Sequence, residues 1–201
     1  MSGVSRRDVL KTAGLAGAAI VALPGLSRVL IVQRELLAQS QSHSLSASEL
    51  ATLTAICARL IPTDENGPGA LEAGAATYID RALSGALATS RPAYADGLAA
   101  IDAKAQQKFA AAFTKLSASQ QDAVLTDLEE TPFFALVRGH TLQGTFCDPI
   151  YGGNVNLVGW NLIGYPGVRL NVAAAEQNMS TPAVRNHKSA YDYLMFSKPA
   201  I

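Results

Sequence analysis

The 201-residue sequence contains few of the residue types on which common metal-binding, redox and nucleic-acid-binding proteins depend. Its two cysteines cannot build a disulfide-rich scaffold or a four-thiolate zinc site. Its 16 basic and 16 acidic residues give no net charge, whereas a nucleic-acid-binding protein normally shows a basic excess. Gly-x-Gly-x-x-Gly, P-loop and His-Glu-x-x-His motifs are also missing. The sequence therefore gives no indication of a cofactor site.

Apolar residues are plentiful and helically spaced. They make up 49% of the chain, enough for a buried core, which excludes a disordered protein. Spacings of three and four residues predict helices. These are a helix between the Ser46–Glu49 capping box and Pro62, then 70–83, 93–116, one capped at Ser117 or Ser119, and 132–143. The sequence predicts an all-α fold: an irregular domain of about five helices, an ordered glycine- and aromatic-rich loop region, and a polar tail.

The amino terminus has the pattern of a bacterial export signal. The motif residues are Ser5, Arg6, Arg7, Leu10 and Lys11. Two adjacent arginines before the weakly hydrophobic residues 12–27 are typical of the twin-arginine pathway, whose receptor reads the pair. That uncharged stretch falls short of the roughly twenty residues that span a bilayer. We interpret residues 1–41 as signal and linker, with cleavage at Ala38 or an uncleaved anchor as alternatives, and residues 42–201 as one domain.

The export pathway and the lack of a cofactor site together suggest that this chain is exported while bound to another protein. The twin-arginine route carries proteins that are already folded, often around a cofactor, and this chain shows no site for one. Removing residues 1–41 takes away five of the 16 basic and two of the 16 acidic residues, which leaves 11 and 14 and a net charge of −3. A domain with this mildly acidic charge has no electrostatic attraction for DNA or anionic lipid.

The polar residues offer only weak candidates for catalysis. His43, His140 and His187 lie far apart without metal-ligand spacing, so capping or surface roles are favoured. Asp64 and Glu65 are adjacent in a loop beside Gly and Pro, where carboxylates usually shape turns. No Gly-x-Ser-x-Gly elbow marks a nucleophile.

The two cysteines, Cys57 and Cys147, allow two alternatives that the sequence does not separate. In an oxidising periplasm they can form a disulfide, closing a loop of about ninety residues. The other alternative is a pair of buried free thiols. A Cys-x-x-Cys-His haem attachment motif is absent.

Residues 144–167 hold six glycines, two prolines and four aromatics, including the only tryptophan, Trp160. Glycines allow sharp bends and close approach of the backbone. Interleaved Tyr and Trp side chains are the kind that anchor interfaces. The segment is therefore either a partner-contact surface or a structured loop covering this chain's own core.

Two stretches of sequence carry a family resemblance. The first runs from Arg59-Leu60-Ile61-Pro62-Thr63-Asp64 through Pro68-Gly69 to Gly74 and on to Tyr78-Ile79-Asp80. The second comprises Asp148-Pro149-Ile150-Tyr151-Gly152-Gly153-Asn154, then Gly159-Trp160, then Ile163-Gly164-Tyr165-Pro166-Gly167. Together they resemble the small subunit (subunit 3, or gamma) of the gluconate 2-dehydrogenase family of bacterial membrane-associated flavin dehydrogenases. With the signal, the resemblance covers most of residues 1–170. It does not extend into the tail, and Thr145-Phe146-Cys147 departs from the glycine-rich form expected there.

The resemblance implies a non-catalytic subunit without a cofactor of its own. The implied partners are a large FAD-binding flavoprotein of the glucose–methanol–choline type, which oxidises a sugar, polyol or aldonate, and a haem-bearing cytochrome c subunit. The small subunit would carry the signal read by the twin-arginine translocase, export the flavoprotein to the periplasm and stabilise it there, associated with the inner membrane through the complex.

Ten residues in the second stretch are the expected partner-contact or surface-shaping residues: Asp148, Tyr151, Gly152, Gly153, Asn154, Trp160, Gly164, Tyr165, Pro166 and Gly167. The alternatives are a free-standing exported enzyme using Asp64, Asp148 or His140, and a periplasmic assembly factor. No nucleic-acid partner is expected.

Overall fold

A computed structural model describes residues 43–177 and 184–195. Within these residues the protein has six α-helices and no β-strand, so the predicted all-α fold is confirmed. The helices are α1 (Ala47–Leu60), α2 (Ala75–Leu83), α3 (Arg91–Phe109), α4 (Ala118–Thr126), α5 (Pro132–Phe146) and α6 (Val158–Leu162). Short 3₁₀ turns lie at Ala88–Ser90, Phe113–Lys115, Pro149–Tyr151, Val155–Leu157, Ala174–Gln177 and Ala190–Asp192. The predicted export-signal residues Ser5, Arg6, Arg7, Leu10 and Lys11 and the predicted cleavage site at Ala38 lie outside the described residues.

Local sequence signals start three of the helices. Ser46 and Ser117 each cap their helix in a capping box. Each serine hydroxyl accepts a hydrogen bond from the amide three residues on, and the side chain of that residue, Glu49 or Gln120, accepts one from the serine amide. The Thr131 hydroxyl accepts from the Phe134 amide before a helix that begins with proline. These starts agree with the sequence prediction because the caps satisfy amides that would otherwise have no partner within the helix.

Several predicted boundaries were wrong. The helix expected over 132–143 continues to Phe146, and residues 144–167, expected to form an ordered loop region, contain α6. The segment 70–83 becomes helical only at Ala75, because Gly74 adopts a left-handed conformation with φ of 71°. Leu71, predicted on the apolar stripe, is consequently 54% exposed. The segment 93–116 stops at Phe109, because Ala110 is left-handed with φ of 54°, and the chain then turns back.

The core surrounds α1, which packs against α2, α3, α4 and α5. Its fully buried residues include Leu53, Ile79, Tyr94 and Phe113. The helix pair α2 and α5 packs most closely, since Gly144 has no side chain at the contact and an added Cβ would lie 2.9 Å from the Ala75 Cα. This close packing positions the carboxyl end of α5, from which the glycine-rich segment departs.

A buried carboxylate ties the chain before α1 to α2. Asp80 is fully buried and accepts hydrogen bonds from the backbone amides of Ser44 and Leu45, both at 2.8 Å. His43 Nδ1 forms a further contact with the same carboxylate. In the part of the chain that the structure describes, no helix combines the length and the apolar character needed to span a bilayer.

Candidate partner-binding site

The structure brings together the two stretches singled out from the sequence. The Val155 amide donates to the Ala73 carbonyl at 3.1 Å. A Cβ placed on Gly74 would lie 3.1 Å from the Val155 side chain, and one on Gly67 would lie 3.8 Å from Leu162. The loop before α2 and the turns before and within α6 therefore form one structural unit.

Asn154 holds this unit together from the inside. The residue is fully buried in a left-handed conformation, with φ of 47°. Its side-chain Nδ2 donates to the Cys147 carbonyl at 2.9 Å, and its Oδ1 accepts from the Gly159 amide at 2.8 Å. Its own amide donates to the Gly144 carbonyl at 2.8 Å. Asn154 thus joins the end of α5 to the start of α6.

Two glycines allow the backbones to meet. A Cβ on Gly153 would overlap the Gly144 carbonyl oxygen. One on Gly159 would overlap the Thr145 carbonyl oxygen and lie 2.8 Å from its carbon. Both positions are therefore fixed by packing between the segment and α5, and no side chain there is available to a partner.

Trp160 points inward. Only 5% of the residue is exposed, and its indole Nε1 donates to the Phe146 carbonyl at 2.9 Å. Tyr165 packs edge-on against the indole, with ring centroids 4.8 Å apart. Of the two roles considered from the sequence, the geometry favours shaping of the surface over direct anchoring by this indole.

Other members of the predicted set face outward. Tyr151 is 65% exposed, and Tyr165 and Gly164 are also exposed. Val155 and Ile163 are also exposed and were missed from the sequence, because aliphatic residues in a loop give no periodic signal. The segment thus presents exposed apolar side chains, here called its apolar surface, on a framework of buried polar bonds.

Three of the remaining members, Asp148, Pro166 and Gly167, contact the tail, which begins at residue 168. The Pro166 carbonyl accepts from the Asn186 amide at 2.8 Å, and Gly167, with φ of 99°, has no room for a Cβ beside Lys188. Asp148 accepts from the Ile150 amide at 3.0 Å and from the Ala190 amide at 2.9 Å. Gly152 also has a positive φ, 89°, next to the Arg81 guanidinium.

Both cysteines are free thiols in the structure. Cys57 is buried, with its Sγ 3.4 Å from the Thr141 hydroxyl, and burial raises the pKa of its thiol to about 11. Cys147 is half-buried, and burial raises its thiol pKa as well, with a smaller contribution from the Asp148 carboxylate. Neither environment favours the reactive thiolate at neutral pH.

The candidate catalytic residues have separate structural partners. His140 lies buried in α5, its ring parallel to Tyr94 and hydrogen-bonded to the Tyr94 hydroxyl at 3.0 Å, so the capping or surface role expected for it was wrong. Asp64 closes a turn by accepting from the Asn66 amide at 2.8 Å. Among the described residues no group of three or more His, Cys, Asp or Glu is placed to hold a metal ion.

The burial of His140 predicts a loss of stability in mild acid. Burial lowers the pKa of this imidazole in the folded state, so the unfolded chain binds the proton more readily. The stability that the neutral His140 imidazole contributes is therefore fully present above about pH 6.5, its pKa in the unfolded chain. This contribution is lost as the pH falls toward the lower pKa of the folded state. In urea titrations from pH 7.5 to 5, we expect the wild-type midpoint to fall more than that of His140→Gln. Parallel pH profiles would contradict this role for His140.

The fold and site define an all-α protein in which a glycine-rich framework presents apolar side chains beside a helical core. The model of the family described as gluconate 2-dehydrogenase subunit 3 matches residues 47–167. The chain therefore belongs to the gluconate 2-dehydrogenase subunit 3 family, a family of dehydrogenase subunits, and the resemblance seen in the sequence is confirmed. Neither the curated proteins nor the solved structures gave a match.

Proposed function

We propose that this chain is the non-catalytic small subunit of a periplasmic FAD-dependent dehydrogenase complex. It binds a flavoprotein of the glucose–methanol–choline type in the cytoplasm, carries it through the twin-arginine translocase and stabilises it afterwards. A cytochrome c subunit accepts the electrons, and the complex associates with the inner membrane. Membership of a dehydrogenase-subunit family supports the proposal, together with the Arg6-Arg7 motif.

The distribution of exposed apolar side chains is the observation that best supports partner binding. Among the described residues, Leu71 is the only large hydrophobic residue before position 142 that is exposed. The others lie in residues 142–195 and include Tyr151, Val155, Ile163 and Tyr165. Contiguous exposed apolar patches mark interaction sites in folded proteins, and the restriction of these side chains to one part of the chain supports partner binding there.

The neighbouring geometry indicates that this surface is preformed. Tyr151 closes the 3₁₀ turn that Asp148 caps, and Ile163 and Tyr165 follow directly on α6, whose Trp160 is fixed to α5. A rigid surface loses little conformational entropy on association, which favours tight binding.

Charging this surface should weaken the complex. Tyr151→Asp combined with Ile163→Asp places two carboxylates in an apolar interface, and we expect the dissociation constant for the flavoprotein to rise about a hundredfold. The matched control is Gln106→Asp with Gln107→Asp, which adds the same charge on the exposed face of α3. Co-purification from a strain expressing both subunits, followed by titration of the purified proteins, measures the effect. Equal affinities for the two double variants would contradict this interface.

A further inference from the structure

An open cavity of about 270 Å³ is lined in part by the exposed Ile163 and Tyr165. Its walls are Phe146, Trp160, Ile163, Tyr165 and Val168, and Asp148 supplies a carboxylate. The Trp160 indole N–H is already donated to the Phe146 carbonyl. The cavity therefore combines aromatic and aliphatic walls with an anionic group.

The carboxylate has acceptor capacity to spare. Each oxygen of Asp148 accepts one backbone amide, Oδ1 from Ile150 and Oδ2 from Ala190. A carboxylate offers about four lone-pair sites, so each oxygen retains a further position. In the described part of the chain, no Lys, Arg or His nitrogen lies within 4.0 Å of this carboxylate. The two amides hold the carboxylate in place without neutralising it.

These features of the cavity indicate which kind of chemical group it binds. A sugar requires several polar partners, and the lining side chains offer two, the Asp148 carboxylate and the Tyr165 hydroxyl, because the Trp160 indole N–H is already bonded. A guanidinium can bond two carboxylate oxygens in parallel and stack on aromatic rings, while its methylene stem packs on aliphatic walls. Arginine is the side chain that satisfies all three features of the cavity.

We propose that this cavity receives an arginine side chain of the partner subunit, with Asp148 as its counter-ion. The assignment rests on the proposed function, because the partner is the flavoprotein. The chain's own Arg185 has its guanidinium 3.4 Å from the position of a Cβ on Gly164, at the rim formed by Ile163 and Tyr165. Arg185 is therefore the alternative occupant of the cavity, and the experiment must distinguish it from an arginine of the partner.

The test uses the full-length chain and small-molecule probes. N-acetylarginine amide is titrated against the fluorescence of Trp160, the only tryptophan, with N-acetylcitrulline amide as its neutral isostere. We expect a saturable change with the arginine probe that is absent with citrulline and lost in Asp148→Asn. Asp64→Asn is the matched control, because Asp64 also accepts an amide two residues on but lies outside the cavity. Melting curves check that both variants fold.

The complex supplies the second measurement. Asp148→Asn should raise the dissociation constant for the flavoprotein about tenfold and flatten its salt dependence, while Asp64→Asn leaves both unchanged. Equal responses to the two probes, or no response, overturn the assignment. Binding seen only in Arg185→Gln also overturns it, because Arg185 would then fill the cavity. Since the probe titration involves no partner, its failure is distinguishable from failure of the proposed function, which would appear as absence of flavoprotein in the purification.

Discussion

Changing Arg6 and Arg7 together to lysine is expected to reduce periplasmic dehydrogenase activity to that of a strain lacking this chain. In the proposed export route the translocase receptor reads the arginine pair, and lysine keeps the charge but lacks the planar, multiply hydrogen-bonding guanidinium. If the flavoprotein depends on this chain for export, it should then remain folded in the cytoplasm.

The measurement is dye-reducing activity in periplasmic and cytoplasmic fractions of strains that express both subunits. Arg28→Lys combined with Arg34→Lys is the matched control, because it makes the same chemical change in the same segment outside the motif. We expect the control strain to retain periplasmic activity and the Arg6/Arg7 strain to accumulate it in the cytoplasm. Unchanged periplasmic activity in the latter would remove the export role.

Gly159→Ala is expected to cost about 3 kcal/mol of folding stability or more. The new methyl group would overlap the Thr145 carbonyl oxygen and lie 2.9 Å from the Phe146 ring, and the first of these is backbone that cannot rotate away. Relief requires α6 to move off α5, which breaks the hydrogen bond that the Gly159 amide donates to Asn154 Oδ1.

Gly139→Ala provides the comparison within α5. An added Cβ there meets nothing within 4 Å, and alanine is the better helix former by about 1 kcal/mol, so this variant should be slightly more stable than the wild type. Urea midpoints followed by circular dichroism give both free energies, and Trp160 fluorescence reports the displacement of α6. Similar midpoints for the two variants would show that the glycine-rich segment does not pack against α5 as described.

The sequence predicted the helices better than their ends. The caps at Ser46, Ser117 and Thr131 were readable because each is a short-range bond between side chain and backbone. The end of α3 before Ala110 could not be predicted, because alanine rarely adopts a positive φ. Ala110 does so here, where the chain turns and Phe113 enters the core. Tertiary packing decides that boundary.

The candidate segment was selected from its composition, but the orientation of its side chains was not predictable from the sequence. Glycines and aromatics in residues 144–167 identified the segment, and the family match covers it. Whether Trp160 faces in or out depends on its bond to the Phe146 carbonyl, fourteen residues away. The bond between Asp148 and the Ala190 amide spans 42 positions. No local pattern in a sequence reports contacts at such separations.

As proposed, this chain binds a flavoprotein and has no catalytic activity of its own. Affinity purification of the tagged chain from the periplasm, followed by an absorption spectrum and a dye-reduction assay, measures both properties. We expect a complex that contains a large subunit with bound flavin and oxidises a sugar, polyol or aldonate, while the separated chain is inactive. A chain recovered without a flavoprotein, or one that oxidises such substrates by itself, would contradict it.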